Sequence, residues 1–292
     1  MKGGLRSARR AGTGVLATPY LIGTALVVGL PLAGTAGLAL TEYHGFGAPV
    51  FTGTANLRRM GGDELLWTSL RNSVILAAIV VPLRLVLSAG CALLLTPPTR
   101  TVRAARAAVY LPTVVPDAAW ALLWLWLLNP LYGPLPLALE GLGLPSPGWL
   151  TSPWGARAGV GLMVGLQIGE SFVVALAARQ LIPARLYEAA AMEGAAPGHV
   201  LRRVTLPLLS PVLALLALRD LVMVLQITIV PVLLVTEGGP YYATLTTPLY
   251  LYRRAFDYGE LGYASGLAMM LIVVTAGAVA AQILVLRRLR LL

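Results

Sequence analysis

The chain has 292 residues, 58% of them hydrophobic and 12% charged, with a mean hydropathy of +0.79. A soluble domain carries about 25% charged residues; the apolar excess here needs a bilayer as its solvent, which makes this an all-α membrane protein. The net charge of +10 falls in short clusters beside apolar runs, the pattern of topology signals and not of a nucleic-acid-binding face.

Six apolar segments are long enough to cross a membrane, each near the ~20 residues a spanning helix needs. The first covers 15–40, behind a basic tail (1–14) with Lys2, Arg6, Arg9 and Arg10, and is much longer than the apolar part of a signal peptide. The others cover 72–95, interrupted by Arg84; 107–128, with kink-prone Pro112 and Pro116; 158–178; 212–235; and 261–286. Residues 15–292 thus form one transmembrane domain.

The loops between the spans alternate sides. One set, the N-terminus, 96–106, 179–210 and the C-terminus, holds most of the arginine, including Arg100, Arg103, Arg106, Arg179, Arg185, Arg202, Arg203, Arg287, Arg288 and Arg290. The opposite set holds Arg58, Arg59, Arg71, Arg157, Arg253 and Arg254. The positive-inside bias therefore predicts that both termini and the 179–210 loop are cytoplasmic. Trp149, Trp154, Tyr241 and Tyr242 in the outer loops are interfacial anchors in this reading.

Two scarcities limit the chemistry. Cys91 is the single cysteine, so no internal disulfide forms. Lys2 is the single lysine, so the chain lacks a Walker A loop, and any ATP it depends on is bound by another chain. A membrane-embedded enzyme is the rival class, but His44 and His199 stand alone, with no H-E-x-x-H and no G-x-S-x-G.

The 179–210 loop, "LIPARLYEAAAMEGAAPGHVLRRVTLPLLSP" from Leu181, is the least apolar long stretch. Pro183 suits a helix start, 184–193 is rich in helix formers, and Gly194 suits a left-handed stop. Pro197 begins a second helix with Val200, Leu201, Val204 and Leu208 on one side, and Pro207 with Pro211 brackets the approach to the fifth span. The prediction is a surface helix-turn-helix. Ala189, Ala190, Ala191 and Ala195 give it a smooth face on which another backbone can seat; an amphipathic helix resting on lipid is the plainer reading.

This segment resembles the E-A-A loop of binding-protein-dependent ABC importer permeases, with Glu188, Ala189, Ala190, Glu193, Gly194, Ala195, Leu206, Pro207, Leu208 and Pro211 in register. Glu193 stands where Asp is usual and Leu201 where Phe is usual. "LLNPLYGPLP", "LVTEGGPYYATLTTPLYLYRRAF" and "GYASGLAMMLIVV" are similar to stretches of the larger maltose-type permease subunit. The resemblance covers about residues 15–290 and implies the type I ABC importer permease fold with six spans. It also implies a second permease subunit, an extracytoplasmic solute-binding protein, and two copies of a cytoplasmic ATPase carrying ATP and Mg2+, with no cofactor or metal on this chain. Glu188, Ala189, Ala190, Glu193, Gly194, Ala195, Leu206 and Pro207 would then couple the ATPase to the spans, in a bacterial cytoplasmic membrane.

Intramembrane ionisable residues are functional candidates. Arg84 has Asp117, Glu170 and Asp220 within the other spans as possible counterions, with Arg219 a second cation of the same packing network. Gln167 and Glu170 lie three apart, on one helical face, in a part of the fourth span that lines the pathway in the resembling permeases. They and Gln226 and Thr228 are candidates for contact with a sugar or related polar solute; a polyol, glycerol phosphoester, peptide or amino acid is the alternative cargo. Gly161, Gly165 and Gly169 repeat every four residues, as for close helix packing.

Overall fold

The computed structural model describes residues 18–226 and 228–288. The basic tail, the first residues of the first predicted span, Ile227 and Arg290 lie outside the described residues. The described chain is almost wholly helical and divides into two compact units, residues up to Gly62 with Leu251–Ile272, and Asp63–Tyr250 with the residues from Val273 on.

The first unit holds helix α1 (Thr18–Leu38), a two-stranded antiparallel hairpin of β1 (Thr41–Glu42) and β2 (Val50–Phe51), and the short α2 (Ala55–Gly61). Asn56 clips the hairpin to the end of α1, its amide donating to the carbonyls of Ala39 and Thr41 at 2.9 Å each. Arg59 grips Glu260 through both carboxylate oxygens at 2.8 and 3.0 Å, and Arg254 donates to the same carboxylate at 3.0 Å.

The second unit holds the helices between Asp63 and Tyr250 and the last part of the final helix, from Val273 on. Asp63 caps α3 (Glu64–Leu94) by accepting from the Leu66 N–H at 3.1 Å. This helix begins eight residues before the predicted start at 72. The third predicted span is two helices, α4 (Arg100–Val114) and α5 (Asp117–Leu127), bent by 102° at Val115 and Pro116. A short α6 (Pro134–Gly141) follows. The fourth predicted span is also two helices, α7 (Pro153–Gly165) and α8 (Gly169–Gln180), bent by 50°. Next come α9 (Ala184–Met192), α10 (Pro197–Gln226), α11 (Val230–Val235), α12 (Thr247–Tyr252) and α13 (Leu261–Arg288). Four helices, α1, α3, α10 and α13, are each long and apolar enough to span; each bent pair counted as one span makes six.

The bundle core forms where α3, α8 and α10 meet, around buried Ala92, Phe172, Ala175, Leu176 and Leu216, with Cys91 half-buried beside them. Burying a side chain as large as Phe172 contributes on the order of 2 kcal/mol. Gly161 and Gly165 face Ile79 and Leu83 of α3, where an added Cβ would sit 3.2 Å from Ile79 Cγ2 and 2.5 Å from Leu83 Cδ2. Gly169 does not continue that face. It lies beyond the break and packs on Thr113 of α4. The predicted anchors Trp154, Tyr241 and Tyr242 are exposed, whereas Trp149 is half-buried with its backbone carbonyl over Gly159.

Candidate functional site

Two places in the second unit gather the sequence-predicted residues. One is an open cavity of about 170 Å³, lined by Arg84 from α3, Thr113 and Asp117 from the two sides of the α4–α5 bend, Gln167 and Glu170 at the α7–α8 break, and Arg219, Thr228 and Pro231 from α10 onward. Both bends open onto it.

The α7–α8 break has a local cause. The Gly169 N–H donates to Thr113 Oγ1 at 2.9 Å, and a Cβ on Gly169 would overlap the Thr113 side chain, so only glycine fits. Breaking a helix inside a membrane frees backbone groups that must find partners. Here Arg84 Nη2 donates to the freed Gln167 carbonyl at 2.8 Å. Gln167 therefore reaches the cavity from the break itself and not from the helical face predicted for it with Glu170.

Arg84 begins a line of charges. Its Nε lies 3.5 Å from Asp220 Oδ2, and its side chain is 9% exposed while that of Asp220 is fully buried. Ser171 Oγ donates to Asp220 at 3.4 Å and accepts from Arg219 Nη1 at 3.2 Å. Arg219 stands 3.7 Å from Asp220 and pairs with Glu170. At this end the side chains open up, 34% exposed for Arg219 and 53% for Glu170, so this pair meets the water of the cavity while Arg84 and Asp220 neutralise each other beneath it. Arg84 has neither Asp117 nor Glu170 as its counterion. Asp117 is exposed to the cavity, without an ion pair among the described residues, in the first turn of α5, where the helix dipole favours a carboxylate. Thr228 lines the cavity; Gln226 is half-buried at the last turn of α10 and does not.

The second place is the 179–210 loop. Pro183 at φ −60°, ψ 131° starts α9, and the helix closes as predicted at Gly194, φ +69°. The Gly194 N–H bonds to the Ala191 carbonyl and the Ala195 N–H reaches back to Ala190, each at 3.0 Å, the paired bonds of a Schellman stop. Glu188, Ala189, Glu193 and Gly194 are exposed; Ala190 and Ala195 are half-buried. Neither acid has a polar side-chain partner among the described residues.

The second half of the loop differs from the prediction. No separate surface helix precedes the fifth span; α10 is one helix from Pro197 to Gln226. Leu206 and Pro207 lie inside it. Pro207 lacks an N–H and crowds the turn before it, and that turn, Leu201–Thr205, is widened so that the Leu206 N–H bonds Leu201. Leu208 is half exposed, and its neighbour Leu209 is buried. One residue passed over in the sequence ties the loop together. The Tyr187 hydroxyl bonds Thr205 Oγ1 at 3.1 Å, and the Arg179 guanidinium lies 4.3 Å over its ring. The signal was present in "LYEAA", an aromatic directly before the Glu-Ala-Ala run.

The broken spans, the cavity between them and the capped loop leading into α10 make up the architecture of an ABC importer permease. A bacterial alginate ABC transporter, solved in complex with its alginate pentasaccharide-bound periplasmic protein, has a chain that superposes with a TM-score of 0.81, covering 99% of this chain and 98% of that one at 20% identity, a likeness of fold. Residues 84–291 match the family described as binding-protein-dependent transport system inner membrane component, and the chain belongs to that family. It is 30% identical to the probable ABC transporter permease protein YesP of Bacillus subtilis, over 88% of this chain and 84% of that one. It is likewise 30% identical to the lactose transport system permease protein LacF of Rhizobium radiobacter, over 82% of each chain. The sn-glycerol-3-phosphate transport system permease protein UgpA of Yersinia pestis is 30% identical over 90% of each chain. The chain is therefore a multi-pass membrane permease component and not an enzyme.

Proposed function

We propose that this chain is one of two permease subunits of an ATP-driven importer that moves a sugar or related small polar solute inward by alternating access. A solute-binding protein on the outer side delivers the solute. Two copies of a cytoplasmic ATPase bind ATP and Mg2+ and supply the energy. Both termini and the 179–210 loop face the ATPase, in keeping with the arginine bias of the loops. The family, the sugar- and glycerol-derivative relatives, and a cavity lined by Gln167, Glu170 and Thr228 support this reading.

The observation that carries the coupling is the capped α9 helix, joined through Tyr187 and Thr205 to a helix that runs on unbroken to Gln226. A push on α9 is delivered to the fifth span without a flexible joint. Glu188 pairs with a basic residue of the ATPase, Ala189, Ala190, Gly194 and Ala195 allow close seating, and Glu193 adds charge at the rim; Leu206 and Pro207 lie on the transmitting helix. In the assembled transporter, Glu188→Lys combined with Gly194→Asp abolishes ATP-driven uptake while membrane insertion, read by protease protection of the loops, is unchanged. An added Cβ at Gly194 meets nothing within 4 Å, so its cost is backbone strain alone, about 1 kcal/mol. Normal uptake by the double variant rejects this coupling role.

A further inference from the structure

The charges in and just beneath the cavity do not balance: two guanidiniums, Arg84 and Arg219, stand against three carboxylates, Glu170, Asp117 and the buried Asp220. Arg84 is paired with Asp220, withdrawn from water, and it donates a hydrogen bond to the Gln167 carbonyl. Besides Arg84, the charged groups that line the cavity are the Arg219 guanidinium and two carboxylates, Glu170 and Asp117. Arg219 is engaged with Glu170 and stands 3.7 Å from Asp220, which leaves Asp117 as the carboxylate with no cationic partner among the described residues. A carboxylate at this depth in a membrane is costly unless something answers it. Around it are hydrogen-bonding groups suited to hydroxyls: the Gln167 side-chain amide, which makes no bond of its own among the described residues, and the Thr228 hydroxyl, which donates only a long 3.5 Å bond to the Met223 carbonyl.

We propose that this half of the cavity takes a polyhydroxylated solute carrying a protonated amine, an amino sugar in chemical class, with Asp117 meeting the ammonium group and Gln167 and Thr228 the hydroxyls. The inference rests on the reading of the chain as an importer permease. The same surplus of negative charge disfavours solutes bearing a carboxylate, phosphate or sulfonate.

The test uses the complete solubilised complex of both permeases and the ATPase, without the solute-binding protein, so that the membrane cavity alone is read. Glucosamine, glucose and glucuronate are titrated by calorimetry at neutral pH. A water-exposed ion pair is worth several-fold in affinity at most and the repulsion of a like charge a similar factor in the opposite sense, on the order of tenfold between an ammonium and a carboxylate solute. Glucosamine is expected to bind about tenfold more tightly than glucuronate, with glucose between, and Asp117→Asn is expected to collapse that ranking while Asp117→Glu keeps it. Glucuronate binding as tightly as glucosamine overturns the proposal, as does an unchanged ranking in Asp117→Asn, which would mean that the second permease already neutralises Asp117. Binding of none of the three also overturns it. These results leave the importer reading standing, because that reading fails on a different observation, the absence of ATP-driven uptake by the wild-type complex.

Discussion

Arg84 and Asp220 show how one pair of residues decides what the cavity presents. Two charges removed from water attract strongly only if both are present, and losing one leaves an uncompensated buried ion that costs about 3–5 kcal/mol. Asp220→Ala should therefore lower the unfolding midpoint of the solubilised chain sharply, and Arg84→Met with Asp220→Leu should recover most of the loss. If the single and double variants are equally unstable, the pair does not act as a unit. Glu170 sits at the wet end of the same network, bonded to Arg219 but half exposed. Glu170→Ala should change solute affinity or selectivity with little effect on stability; unaltered uptake kinetics would make it a partner of Arg219 and nothing more. The sequence flagged all five ionisable residues through their burial in apolar runs. It could not pair them, because Arg84 and Asp220 are far apart in the chain and only the packing of α3 on α10 brings them together.

At the scale of the element, the spans were legible from apolar length and their breaks were only partly so. Pro112 and Pro116 marked a kink, but Pro112 is carried within α4 and the 102° turn falls at Pro116. The α7–α8 break has no proline. It depends on Gly169 fitting against Thr113 and on Arg84 capturing the Gln167 carbonyl, both contacts from other helices. The glycine period suggested one face where the structure has two. The surviving part of that face gives a direct test. Gly165→Val would drive a side chain into Leu83 and should cost about 1–3 kcal/mol by overpacking, whereas Gly29→Ala, where nothing lies within 4 Å, should leave the unfolding midpoint unchanged. Equal effects at the two positions would argue against tight packing of α7 on α3. The α9 helix was the most legible element, because its stop is local: a positive-φ glycine after a run of helix formers leaves few alternatives. Its continuation was misjudged because Pro207 and Pro211 look like helix breakers, yet a widened turn and an apolar face keep α10 intact.

For the whole molecule, composition alone placed the chain in a membrane, and its one lysine leaves it without a Walker A loop. The family match agrees with a membrane permease component, and the superposition on an alginate transporter chain with its fold. In the proposed importer, α9 is the contact through which ATP hydrolysis is coupled to this membrane domain. Its most direct measurement is ATP hydrolysis by the complete complex in liposomes, with and without the solute-loaded binding protein, for the wild-type chain and for Glu188→Lys with Gly194→Asp. The prediction is that the loaded binding protein stimulates hydrolysis by the wild-type complex and leaves the variant at its basal rate. Equal stimulation of both would contradict it.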